Sequence, residues 1–166
     1  MRAIKNLYVY LSFLIALFVD LLPFLSLTEE IKPSFILLTL IYWNLALPNR
    51  VGLRLAFSIG ILVDIIEGTL LGSHALIYVF ISFICQRFFY QFRVLRMWQQ
   101  CIIIFILFFS LKLYLIIDFL NLGSNPFIYF DQKYIFSSII FATLNSIGWI
   151  FIYFLLRFYR RRWVKN

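Results

Sequence analysis

One histidine, two cysteines and seven carboxylates are the obvious candidates for chemistry in this 166-residue chain. His74 stands alone, so imidazole and thiolate ligands cannot be gathered at metal-binding spacing. No Ser or Cys nucleophile pattern surrounds it. The acids are Asp20, Glu29, Glu30, Asp64, Glu67, Asp118 and Asp131, and their spacing does not suggest an acid/base pair. A Walker loop, a Gly-rich nucleotide loop and an H-E-x-x-H zinc motif are all missing. Cys85 and Cys101 read as ordinary apolar residues near the cytoplasmic ends of their segments, where a disulfide does not persist. The residues therefore predict a protein that is not an enzyme and uses no cofactor.

The elements that would have to carry such residues are of one kind. Apolar and aromatic residues make up 64% of the chain and charged ones 13%, with 21 Phe and 10 Tyr. Soluble domains are about 45–50% apolar and about 25% charged, so a water-soluble globule is excluded. Apolar runs of about 20 residues predict membrane-spanning helices rather than the ~10-residue alternation of a barrel. The expected fold class is all-α, a single integral membrane domain over residues 1–166 with six transmembrane helices. The predicted spans are 7–27, 33–47, 51–67, 73–89, 97–120 and 134–156. Asp20 in the first run and the lack of a small-x-small site predict an uncleaved span rather than a signal peptide. Pro33 and Pro48 bracket the second, which is short and is expected to stand upright or be shielded by neighbours. Gly123-Ser-Asn-Pro126 marks a turn before the last span.

Charge sets the orientation. Arg2, Lys5, Arg50, Arg54, Arg87, Arg93, Arg96, Arg157, Arg160, Arg161, Arg162 and Lys165 all fall on one side of the predicted path, with no acid among them. Lys32, Lys133 and the seven acids fall toward the other side, and Lys112 lies within a span. By the positive-inside rule both termini are cytoplasmic. The net charge of +8 then reflects cytoplasmic loops and anionic lipid, not nucleic acid. Trp43, Trp98 and Trp163 are expected in the aromatic belt at the inner headgroups.

Polar and small residues inside the spans follow helical spacing. Gly52, Ala56, Gly60, Asp64, Gly68 and Gly72 recur at every fourth position, a stripe that lets another backbone approach, either within the bundle or from a partner. Asp64 must face protein, because a carboxylate in hydrocarbon costs several kcal/mol. Asp64, Asp20 and Lys112 all count to a depth of about 18–20 Å from the inner interface at ~1.5 Å per residue. Lys112 is expected either to pair with Asp64 or Asp20 or to snorkel toward the outer headgroups. Ser138, Ala142, Asn145 and Gly148 share a face of the last span, and Ser12, Ala16 and Asp20 share one on the first. Asn145 is expected to hydrogen-bond across helices. The tail residues Arg157, Arg160, Arg161, Arg162 and Lys165 are expected to meet anionic lipid or a cytoplasmic partner.

The stretch from Lys32 to Val51, KPSFILLTLIYWNLALPNRV, resembles the second-helix signature of the MreD family of bacterial rod shape-determining proteins. Gly60 to Gly72, GILVDIIEGTLLG, is similar to its third helix, and Trp98-Gln-Gln100 and Phe136-Ser-Ser138 resemble the starts of the fifth and sixth. The resemblance covers most of the chain, and none of these motifs is catalytic. It implies an inner-membrane subunit of the cell-elongation machinery that associates with MreC. With MreC it would connect MreB filaments to the wall synthases RodA and PBP2. It also implies a fold similar to the six-helix substrate-binding subunits of energy-coupling-factor transporters. Lys112 matches no pattern of that family. The competing expectation is a small-molecule-binding membrane subunit of a transporter, which needs a pocket with convergent polar groups between the outer helix ends. Its candidate residues are Asp20, Asp64, Glu67, His74, Lys112 and Asp118.

Overall fold

The twelve residues FILLTLIYWNLA are apolar around nearly the whole circumference of a helix, and such a helix is stable only when enclosed. They form α2 (Phe35–Ala46), and every residue from Ile36 to Leu45 is buried. In the computed structural model, which describes the backbone of residues 2–22, 31–48, 50–121 and 132–164, the other helices assemble around this rod. They are α1 (Arg2–Leu21), α3 (Leu53–Glu67), α4 (Ser73–Arg87), α5 (Phe89–Val94), α6 (Met97–Asn121) and α7 (Gln132–Tyr159). A wider, π-type turn, Arg160–Val164, follows α7. No strand occurs among the described residues.

Helices α1, α4 and α7 contact α2 directly, α3 packs on α4, and α6 packs on α7. The periodicities predicted on α1 and α7 face inward. Val9, Ser12, Phe13 and Ala16 of α1 are buried, as are Ser138, Ala142, Asn145 and Trp149 of α7. Leu7, Leu14 and Phe18 of α1, Phe80 and Phe83 of α4, and Phe151, Phe154 and Phe158 of α7 point outward and are exposed. A soluble monomer does not display apolar surface on this scale. Tyr8 and Tyr159 meet at one end, where the Tyr159 hydroxyl donates to the Tyr8 carbonyl at 3.1 Å. Tyr8 also lies 5.3 Å from the Trp163 ring. Both ends of the described chain thus lie at the same end of the bundle.

The helices differ in length from the predicted spans in one physically important way. Among the described residues two helices are long and apolar enough to cross a membrane, over Met97–Tyr114 and Tyr134–Trp163. α2, with 12 residues, is only about 18 Å long against a hydrocarbon core of about 30 Å. It is shielded by its neighbours, as its length predicts. The fourth predicted span, 73–89, ends early: α4 stops at Arg87 and a six-residue helix, α5, follows. α5 is anchored by Phe92, 6.1 Å edge-on from Trp149. Residues 23–27 of the first predicted span lie outside the described residues.

Trp43 departs from expectation. It is fully buried, its Nε1 donating to Ser12 Oγ at 2.7 Å, and it belongs to the α1–α2 seam rather than to an interfacial belt. Trp98 and Trp163 are exposed at the surface.

Candidate functional site

The α3–α4 turn is built on Asp64. Gly68 and Gly72 take left-handed conformations, with φ of 67° and 106°, which only glycine adopts cheaply. Gly68 closes α3 through its N–H to the Asp64 carbonyl. The Asp64 side chain, 1% exposed, then reaches across the turn to the start of α4. Its Oδ2 accepts from the Gly72 N–H at 2.8 Å. Its Oδ1 accepts from the His74 N–H at 2.9 Å, from Thr69 Oγ1 at 2.9 Å and from Ser73 Oγ at 3.2 Å. His74 Nδ1 also lies 2.9 Å from Oδ1. A carboxylate has no proton to give, so this nitrogen carries the hydrogen. His74 Nε2 sits 3.5 Å from Glu67 Oε2. An anion is thus placed on the open N–H groups at a helix N-terminus, where the helix dipole favours it.

Asp20 does the same for α2. Its Oδ1 and Oδ2 accept from the N–H groups of Phe35 and Ile36 at 2.8 and 2.9 Å. The preceding Ser34 N–H donates to Asn145 Oδ1 at 3.0 Å. Ser34 makes no side-chain cap of its own, so the start of α2 is closed by α1 and α7. Asn145 therefore bonds across helices as its position predicts, while its amide nitrogen donates to the Phe141 carbonyl of its own helix.

The pairing of Lys112 with Asp64 or Asp20 needs correction. Asn145 is level with Ser34, and Ser146 Oγ donates to the Cys101 carbonyl of α6 at 2.8 Å. Lys112 is eleven residues beyond Cys101, which puts it about 16 Å farther along α6 than the two carboxylates. Depth counted from Gln100 failed because α6 begins partway up the bundle, after α5. Gln100 is buried there, with Trp149 Nε1 donating to it at 3.3 Å. The Lys112 ammonium lies over the Phe141 ring, 5.1 Å from its centroid.

The small-residue stripe divides. A Cβ on Gly60 would collide with Ala75 Cα and stand 2.7 Å from Ala75 N, so Gly60 is where α3 and α4 touch backbone to backbone. Ala56 and Asp64 are buried beside it. Gly52, Gly68 and Gly72 have nothing within 4 Å of an added Cβ. The middle of the stripe is an internal seam, and its ends are helix boundaries.

At the other end of α4 lies a network that spacing did not reveal. Gln86 Nε2 donates to Asn44 Oδ1 at 2.8 Å and to the Val51 carbonyl at 2.9 Å. Asn44 Nδ2 donates to Ser82 Oγ at 3.0 Å. An isolated Asn in an apolar run was the available signal. In the tail, Arg160 folds back over the Tyr42 ring at 5.9 Å and Arg157 over Tyr153 at 5.8 Å. Arg161 and Arg162 remain exposed, and Lys165 lies outside the described residues. Cys85 and Cys101 are free thiols.

Asp20, Asp64 and His74 are thus engaged in closing helix ends, not in lining an outer binding pocket. A groove does open between α1 and α3, with a volume of about 840 Å³ and Arg50 and Arg54 among its lining. Arg50 and Arg54 mark its end nearer the chain termini, and it reaches Ile36 at the start of α2.

Residues 1–159 match the family described as rod shape-determining protein MreD. The Rod shape-determining protein MreD of Haemophilus influenzae is 28% identical over 162 residues, covering 97% of this chain and 96% of that protein. No solved structure matches.

Proposed function

The chain belongs to the MreD family, with a role in rod shape determination, and from that premise we propose a non-catalytic, multi-pass subunit of the bacterial inner membrane. It docks MreC and, with MreC, links MreB filaments to the peptidoglycan synthases RodA and PBP2. Both termini are cytoplasmic in this reading, and the path crosses the membrane six times.

The observation that carries the reading is the family match over nearly the whole chain. The packing supports it. Buried polar side chains tie helix to helix, leaving broad apolar faces on α1, α4 and α7 for lipid and for the helices of other membrane proteins. Tyr8 meeting Tyr159 supports an even number of crossings. The test is affinity purification of the full chain from mild detergent. MreC is expected to be retained at a fixed ratio, and its consistent absence in the presence of intact, folded bait overturns the docking role.

A further inference from the structure

The groove between α1 and α3 has an uneven lining. Phe13, Leu14 and Leu17 of α1, Ile36 of α2 and Ile59 and Leu62 of α3 form its walls and floor. Arg50 and Arg54 stand at one end, both exposed, and no acidic side chain lines the groove. Among the described residues neither arginine enters an ion pair. Two unneutralised cations at the mouth of a hydrocarbon-walled slot complement an amphiphile with an anionic head.

Charge and the apolar lining narrow the choice of occupant. From Leu53 to Leu62 the groove runs about 14 Å along α3 at ~1.5 Å per residue. An apolar slot of that length with two cations at one end matches a charged head followed by a flexible hydrocarbon chain.

We propose that this groove seats an anionic phospholipid, its phosphate held between Arg50 and Arg54 and its acyl chain lying along Phe13, Leu14, Ile59 and Leu62. The guanidinium groups offer the paired donors that a phosphate diester accepts. The inference rests on the chain being embedded in a membrane and is independent of MreC docking, so lipid retention and MreC retention are separate readouts.

The full chain is purified in mild detergent, equilibrated with an equimolar mixture of phosphatidylglycerol and phosphatidylcholine, and examined by native mass spectrometry. One phosphatidylglycerol per chain is expected to persist, in preference to phosphatidylcholine. The Arg50→Gln/Arg54→Gln variant loses that preference by about tenfold or more. Leu14→Trp, which fills the slot without touching a charge, also displaces the lipid. Arg161→Gln/Arg162→Gln, in the exposed tail, leaves it bound. Equal retention of the two lipids by the unmodified chain overturns the proposal without reference to any variant. So does an Arg50/Arg54 variant that binds like the parent, or a groove that crosslinks from position 14 to a single-span protein and holds no lipid.

Discussion

Asp64 gathers donors from two backbone N–H groups and three side chains at one buried carboxylate. Replacement by Ala removes the acceptor and leaves the N–H groups of Gly72 and His74 unsatisfied, at about 1–3 kcal/mol each. Asp64→Ala is therefore expected to lower the thermal unfolding midpoint in detergent sharply. Asp64→Asn, which keeps one acceptor oxygen, should lose less, and equal losses would mean that the retained oxygen contributes nothing without the charge and the second oxygen. At Gly60 the cause is steric. Gly60→Ala drives a methyl into the Ala75 backbone, so α3 and α4 must separate, at about 1–3 kcal/mol. The same measurement should show a loss at Gly60 and little change for Gly52→Ala, whose Cβ meets open space. That Asp64 faces protein was legible from its residue type, since hydrocarbon does not tolerate a carboxylate. That its partner is His74 was not legible, because nothing in the spacing says which way the turn between Gly68 and Gly72 folds.

At the scale of elements, the repeated device is a carboxylate near the end of one helix closing the start of the next. Asp20 does so for α2 and Asp64 for α4. In water, unsatisfied N–H groups at a helix start find solvent, but inside a bilayer each costs several kcal/mol. Asp20→Ala is expected to raise hydrogen exchange at the Phe35 and Ile36 amides selectively, while amides in the middle of α2 change little. Uniform acceleration along α2 would mean that Asp20 supports the whole helix rather than its first turn. The periodic faces of α1 and α7 were readable because the helical repeat and burial coincide. The break between α4 and α5 was not, since FYQFRV carries no Gly or Pro and its helix is held by the contact of Phe92 with Trp149.

For the whole molecule, the α6–α7 hairpin extends past the other helices. Asn145 is level with the start of α2, so residues 132–144 of α7 run about 20 Å beyond it. The short helices thus stop partway up a bundle whose full height is set by two long ones. A reporter that works only in the cytoplasm, fused behind Asn166, is expected to be active, and one that works only in the periplasm inactive. The reverse result would overturn the even-pass path and, with it, the leaflet in which Arg50 and Arg54 lie.

Composition marked this chain as apolar enough for a bilayer, the length of its apolar runs marked them as helices, and the segregation of its basic residues pointed to a path with both ends on one side. These properties follow from each residue's own solvation and from a fixed helical repeat, so neighbours in space are not needed to read them. Which carboxylate meets which helix start, the height at which α6 begins, and the slot left between α1 and α3 were decided by tertiary structure. They depend on the relative heights of helices far apart in the chain, and helix–helix register in an apolar medium is set by close packing and a few polar contacts, not by any periodicity within one segment.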